Sequence, residues 1–184
     1  MTTGGEPINL REWRAHTTEV GVGRLFTCGR PGRGTFGREK RQVDDDTIDR
    51  WVKGLPRADV LHLVSLLGQK SNGYSEFGYY PFRSSKESGD KPTFQQWLDE
   101  HYARRFFVQE SPTVDARGIP PGVLKAVTES VLELIRRGHT VVIVDSAGAE
   151  RTARVCEAIG YKRVVGGQPP NICIQPTARR ARRG

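Results

Sequence analysis

"VVIVDSAGAERTARVCEAIG", residues 141–160, decides the fold because it joins a buried strand, a tight turn and the start of a helix. The apolar run at 140–144 is typical of a strand that is buried on both faces of a sheet. Small residues follow at 146–149, and helical sequence begins near Arg151. This order predicts an α/β unit whose turn lies at the carboxyl end of a parallel sheet, where ligands bind in such folds.

The remaining segments alternate in the same way. The segment 23–32 predicts a short strand followed by a Gly/Pro turn. The other predicted strands are 59–67, 77–82, 104–110, 140–144 and 162–166. The predicted helices are 44–56, 92–102, 120–138 and 151–159. Strands that alternate with helices predict an α/β fold, here a single domain with a mostly parallel central sheet flanked by helices.

The length of 184 residues fits one domain with additional terminal segments. We predict an extended or partly helical lead-in over residues 1–20, the domain over 21–167 and a basic, disordered tail over 168–184. Neither a signal-peptide core nor an apolar stretch long enough to span a membrane is visible in the sequence. We therefore expect a soluble, cytoplasmic protein without a cofactor.

The formal net charge of +8 is unevenly distributed. Four arginines lie in residues 179–184, and the glycine-rich segment 29–41 is also basic. Basic segments of this kind bind phosphate groups of nucleic acids in some proteins and are merely solvated in others. A nucleic-acid-binding module that uses 29–41 and the arginine-rich tail is one hypothesis for the function.

The three cysteines, Cys28, Cys156 and Cys173, have no CxxC spacing, and their odd number leaves one unpaired in any disulfide scheme. We interpret them as reduced thiols of an intracellular protein. No spacing of histidine, cysteine or carboxylate residues indicates a metal site, so none is predicted.

The turn between strand and helix has the composition of an anion-binding loop. Small side chains at Ser146, Ala147, Gly148 and Ala149 leave the backbone N–H groups accessible, and the following helix start adds partial positive charge. Arg151 can donate two parallel hydrogen bonds to a phosphate group. A purely structural turn of the same composition is the alternative.

The stretch "VVIVDSAGAERTA" resembles the phosphate-binding loop HCxxGxxR[ST] of the cysteine-dependent protein tyrosine and dual-specificity phosphatases. The positions that match or fit are Ser146, Ala147, Gly148, Arg151 and Thr152. Further segments are similar to the family in the same order, namely "GRLFTCGRPG", "VLHLVSLLGQ", "YYPFR" and "SPTVDARGIPP". The resemblance covers roughly residues 23–165 and implies a dual-specificity-phosphatase-like domain.

The resemblance also implies roles for individual residues. In the family, a cysteine thiolate at the position of Asp145 attacks phosphorus, and the arginine, here Arg151, binds the phosphoryl oxygens. Asp115 then corresponds to the general acid, and Thr152 to the hydroxyl donor beside the nucleophile. This chain departs from the pattern because residue 145 is aspartate and Glu150 replaces a usual glycine.

Asp145 changes the expected chemistry of the loop. A carboxylate that accepts hydrogen bonds from the loop N–H groups stays charged and repels a phosphate dianion. Glu150 adds a second negative charge next to Arg151 in the sequence. Cys156 lies inside the predicted helix, where we interpret it as a buried thiol that cannot replace the nucleophile.

The sequence therefore predicts a catalytically impaired relative, a pseudophosphatase that binds a phosphorylated ligand or a protein partner. An active phosphomonoesterase or phosphodiesterase that uses Asp145 as nucleophile or general base is the enzymatic alternative. Such chemistry normally recruits a divalent cation. Asp145, Glu150 and Asp115 are the carboxylates that would hold it, although their spacing is not that of a metal motif.

Overall fold

The computed structural model describes residues 8–15, 23–33, 42–70, 72–102, 105–115 and 117–164. The strands are β1 (Arg11–Ala15), β2 (Arg24–Gly29), β3 (Leu61–Ser65), β4 (Phe106–Glu110), β5 (Thr140–Asp145) and β6 (Tyr161–Arg163). The helices are α1 (Asp45–Lys53), α2 (Phe94–Tyr102), α3 (Pro121–Arg136) and α4 (Glu150–Ala158), with a short 3₁₀ helix at Glu76–Tyr79.

The six strands form one sheet in the order β4-β3-β5-β2-β1-β6. β5 pairs in parallel with β3 and β2, and β3 pairs in parallel with β4, whereas β1 is antiparallel to both β2 and β6. Gly29 of β2 lies opposite Asp145, and Ser65 of β3 lies opposite Val144. The carboxyl ends of three parallel strands therefore lie side by side where β5 leads into its loop.

Helices cover both faces of the sheet. α1 and α2 pack on one face through buried side chains such as Ile48, Trp51 and Leu98. α3 and α4 pack on the other through residues such as Val131 and Val155. β5 faces both cores, which explains why its sequence is apolar from Val141 to Val144.

Local sequence accounts for the helix starts. The Asp44 carboxylate caps α1 by accepting a hydrogen bond from the backbone N–H of Thr47 at 2.7 Å. Pro121 lies in the first turn of α3, where no N–H donor is needed. Ala149, the residue before α4, offers no side-chain cap. The first N–H groups of α4 therefore need another acceptor.

The structure confirms the α/β class and the mostly parallel sheet. The predicted helices are present: α1, α2 and α3 are somewhat shorter than predicted, and α4 is shifted by one residue. β1 is a sheet strand within the segment expected to be an extended or partly helical lead-in. β6 begins one residue before the predicted strand 162–166 and ends at Arg163, while residues 165 and 166 lie outside the described ranges. None of the helices in the described ranges is both long and apolar enough to cross a membrane.

The predicted strand at 77–82 is wrong. Residues Glu76–Tyr79 form the 3₁₀ helix instead, and the Ser75 hydroxyl caps it by accepting a hydrogen bond from the N–H of Phe77 at 3.1 Å. Phe77, Tyr80 and Phe82 are all buried in the core beneath α2. The aromatic run thus contributes to the core without pairing in the sheet. Aromatic side chains favour burial, and a buried side chain can be supplied by a 3₁₀ helix as well as by a strand.

Candidate functional site

The loop after β5 packs tightly against the end of β2. The N–H of Arg30 donates to the carbonyl oxygen of Asp145 at 2.9 Å, which continues the strand pairing. Gly148 has φ +65°, and a Cβ atom at this position would lie 2.2 Å from the backbone nitrogen of Gly29 and 2.3 Å from the carbonyl carbon of Cys28. Only glycine fits here, for reasons of both conformation and space.

The Asp145 carboxylate is enclosed by backbone N–H groups. One oxygen, Oδ1, accepts hydrogen bonds from Ala147, at 2.8 Å, and from Gly148. The other, Oδ2, accepts from Thr152 in the first turn of α4 at 3.0 Å. The side chain is only 2% exposed. The carboxylate therefore uses the N–H donors that such a loop offers to an anion, as expected from the sequence.

The Arg151 guanidinium is buried among protein acceptors. Its Nη1 donates to the carbonyl oxygen of Leu66 and to the Thr113 hydroxyl, both at 3.0 Å. Its two terminal nitrogens face the Glu76 carboxylate at 3.3 Å, and Nη2 also lies 3.1 Å from Asp115 Oδ1. The arginine that the sequence assigns to phosphate binding is thus paired with two carboxylates of its own chain.

Glu76 is the residue that the sequence interpretation missed. It is fully buried, and besides Arg151 it accepts a hydrogen bond from the N–H of Gly68 at 2.9 Å. Its own N–H donates to the Gly68 carbonyl oxygen at 2.8 Å, so the start of the 3₁₀ helix is attached to the end of β3. The available signal in the sequence was that Glu76 directly precedes an aromatic run that is expected to be buried. A carboxylate buried with that run would require a cationic or hydrogen-bonding partner.

Asp115 reaches the loop from the segment between β4 and α3. Its N–H donates to the carbonyl oxygen of Gln69 at 2.8 Å, which holds this segment beside the end of β3. The side chain is 36% exposed and forms the ion pair with Arg151. Asp115 and Asp145 are thirty residues apart in the sequence. In the fold, both contact the start of α4, Asp115 through Arg151 and Asp145 through Thr152.

The other predicted loop residues differ in their surroundings. Thr152 is fully buried, and its hydroxyl oxygen has no hydrogen-bond partner within the described ranges. Glu150 begins α4 with an exposed side chain, and Ser146 and Ala149 are partly exposed. The sequence suggested Glu150 as the second carboxylate at Arg151. In the structure, the carboxylates that contact the guanidinium belong to Glu76 and Asp115.

Neither described cysteine has the surroundings of a reactive thiol. Cys28 and Cys156 are both free and fully buried. Burial raises the pKa of the Cys28 thiol, and the nearby Asp145 carboxylate raises it further. Burial and then Glu157 raise the pKa of the Cys156 thiol. The interpretation of Cys156 as a buried thiol is confirmed, whereas Cys173 lies outside the described residues.

Among the residues that the structure describes, no cluster of three or more histidine, cysteine or carboxylate side chains is arranged to hold a metal ion. Most of the basic segment 29–41, from residue 34 onward, and the whole tail 168–184 lie outside the described residues. The nucleic-acid hypothesis concerns those segments.

Comparisons with protein-family models, curated proteins and solved structures give no match to this chain. The site itself must therefore carry the functional argument.

Proposed function

We propose that this protein is a catalytically impaired relative of the protein tyrosine and dual-specificity phosphatases, a pseudophosphatase that acts by binding. One observation carries the proposal: the Asp145 carboxylate accepts hydrogen bonds from the N–H groups of Ala147, Gly148 and Thr152. These groups are the donors with which a loop of this type would hold a phosphoryl group. The loop thus contains an anion that belongs to the protein.

The charges around Arg151 support the same proposal. One guanidinium lies among the carboxylates of Glu76 and Asp115, and Asp145 adds a third negative group in the adjoining loop. A phosphate dianion placed there would meet this excess of negative charge at short range. Like charges a few Å apart repel by about 4 kcal/mol at the effective dielectric of a protein surface. Phosphate binding in the loop, and phosphoryl transfer with it, should therefore be weak.

The surroundings of residue 145 also favour descent from a cysteine-dependent enzyme. The N–H groups of Ala147, Gly148 and Thr152 all donate to the side chain at this position. A thiolate at position 145 would be surrounded by the same loop N–H groups, and such groups at helix N-termini stabilise thiolates elsewhere.

No observation favours the alternative in which Asp145 attacks a phosphate ester or activates water. A nucleophile or base must reach its substrate, whereas the Asp145 carboxylate is 2% exposed and accepts three hydrogen bonds from the loop and α4. Each of these bonds lowers the nucleophilicity of the oxygen that accepts it.

Hydrolysis of p-nitrophenyl phosphate, with and without Mg²⁺ or Mn²⁺, tests the proposal on the full chain. The variants are Asp145→Cys, Asp145→Cys with Glu76→Gln, and the matched control Asp145→Cys with Glu150→Gly. We expect no turnover by the unchanged protein and measurable turnover by Asp145→Cys. Glu76→Gln should raise it further by releasing Arg151, while Glu150→Gly should change it little because the Glu150 side chain is exposed.

Two results would contradict the proposal. Turnover by the unchanged protein that disappears in Asp145→Asn would identify an enzyme that uses the aspartate. Folded cysteine variants that show no turnover, with folding verified by circular dichroism, would contradict the descent from a cysteine-dependent phosphatase. Loss of any restored turnover in Arg151→Lys would show that the activity comes from this loop, since lysine lacks the planar fork of arginine.

A further inference from the structure

Two arginines meet at the outer edge of the 145–151 loop. Arg11 lies at the start of β1, and Arg33 follows the end of β2. In one orientation of the Asn9 side-chain amide, its oxygen accepts a hydrogen bond from Arg11 Nε at 3.3 Å. In the other orientation, which the surrounding donors favour, the oxygen accepts from Arg11 Nη2 at 3.1 Å and from Arg33 Nη1 at 3.2 Å. In the favoured orientation, two guanidinium groups meet at one neutral amide. We call Arg11 and Arg33 the arginine pair.

The arginine pair is attached to the loop itself. Arg33 Nη1 also donates a hydrogen bond to the carbonyl oxygen of Ala147. The Cδ atom of Arg33 lies 2.9 Å from the place that a Cβ atom on Gly29 would occupy. Gly29 lies opposite Asp145 in the sheet. Because Gly29 has no side chain, the Arg33 side chain has room to lie beside the loop.

The arginine pair forms no ion pair with a carboxylate of the described residues. Within these ranges, neither Arg11 nor Arg33 has a carboxylate within ion-pair distance. Burial lowers the pKa of Arg11, and repulsion from Arg163 and Arg33 lowers it further, while the Asp145 carboxylate acts in the opposite direction. Among the described residues, the direct partners of these two like charges are neutral acceptors.

We propose that the arginine pair binds a phosphomonoester dianion at the outer edge of the loop, with the phosphoryl oxygens replacing the Asn9 amide oxygen. Guanidinium groups bind phosphoryl oxygens through parallel, charge-assisted hydrogen bonds, which are about twice as strong as neutral ones. A dianion also compensates two neighbouring cations at once. The ligand therefore lies outside the ring of N–H groups that Asp145 occupies.

This inference deepens the proposed function, because a protein that acts by binding needs a site for its ligand. It names that site and the class of ligand, a phosphomonoester. The two proposals fail separately. Turnover by the unchanged protein would contradict impaired catalysis and leave the binding site intact, whereas absence of phosphate binding would contradict the site and leave the catalytic argument intact.

Isothermal titration of the full-length protein with phenyl phosphate, inorganic phosphate and phenyl sulfate tests the site. Arg11→Gln and Arg33→Gln are the test variants. Arg14→Gln is the matched control because Arg14 lies in the same strand, is 71% exposed and pairs with Glu12 at 3.7 Å. All three changes remove one positive charge, but only Arg11→Gln and Arg33→Gln remove it from the arginine pair.

We expect both phosphates to bind and phenyl sulfate, a monoanion, to bind more weakly. Arg11→Gln and Arg33→Gln should each weaken phosphate binding about tenfold, the effect of losing one charge-assisted hydrogen bond, and Arg14→Gln by less than about twofold. Equal losses in all three variants would overturn the proposal in favour of unspecific attraction. Absence of phosphate binding by the unchanged protein would overturn it outright. Tighter binding of phenyl phosphate than of inorganic phosphate would identify an ester as the preferred ligand.

Discussion

The 145–151 loop and the arginine pair lie next to each other, yet their charged groups have different kinds of partner. Asp145 in the loop accepts three backbone hydrogen bonds, and Arg151 contacts two carboxylates. Arg11 and Arg33 share the Asn9 amide and have no carboxylate at ion-pair distance in the described ranges. The charges of the loop are therefore paired with groups of the protein, whereas the charges of the arginine pair have no carboxylate partner among the described residues.

This difference separates a structural arrangement from a binding site. Buried charges that are fully paired with one another contribute to folding and lose much when one partner is removed. Charges that remain uncompensated reduce stability slightly and are common at functional sites. Substitutions in the loop should consequently destabilise the protein, whereas substitutions in the arginine pair should weaken binding and change stability little.

The largest effect is expected for Glu76→Ala. Removal of this buried carboxylate leaves Arg151 without its main partner, which should lower the free energy of unfolding by about 3–5 kcal/mol. Asp115→Ala is the matched control, because Asp115 contacts the same nitrogen of Arg151 but is 36% exposed. Its loss should cost about 1 kcal/mol or less. Urea denaturation measures both values, and equal losses would show that burial does not distinguish the two ion pairs.

Gly148→Ala should have a smaller but clear effect. Alanine at φ +65° is strained, and its Cβ atom would collide with the backbone of Cys28 and Gly29. We expect a loss of about 1–3 kcal/mol from the backbone conformation, with further loss if the strand has to move. Gly118 also has positive φ, at +74°, but a Cβ there meets nothing within 4 Å. Gly118→Ala should therefore show the strain without the collision, and an equal loss in both variants would rule the collision out.

The smallest effect is expected for Arg11→Gln. Because like charges surround Arg11, its removal should leave the free energy of unfolding within about 0.5 kcal/mol of the original value or raise it slightly. Added salt screens this repulsion, so it should stabilise the original protein more than the variant. Thermal unfolding at low and high ionic strength measures the difference. A large destabilisation by Arg11→Gln would mean that the arginine pair belongs to the folded core and is no ligand site.

The fold was predictable where periodicity and local signals agree. β5 contains the uninterrupted apolar run 141–144, and α1 combines an aspartate cap with one buried face, so both elements are visible in the sequence. The 3₁₀ helix at Glu76–Tyr79 was not predictable as such. Aromatic residues there indicate burial, and the conformation depends on contacts with Gly68, which lies at the end of another element.

The site was predictable to the extent that it is local. The hydrogen bonds to Asp145 come from residues two, three and seven positions away, so the loop sequence alone predicts them in kind. The Glu76–Arg151 pair spans 75 positions, and the meeting of Arg11 with Arg33 depends on the antiparallel pairing of β1 with β2. A local sequence pattern cannot predict these long-range contacts, because they depend on the order of the strands in the sheet.

The central claim is that the Asp145 carboxylate occupies the loop N–H groups in place of a phosphate. Its most direct test is a phosphate titration that follows the amide NMR signals of Gly148 and Thr152 in the double variant Arg11→Gln/Arg33→Gln, which lacks the arginine pair, and in the same variant with Asp145→Ala added. We predict that these signals stay in place while Asp145 is present and move to saturation once Asp145→Ala is added, because phosphate then supplies the missing acceptor. Saturable movement of both signals while Asp145 is present would contradict the claim.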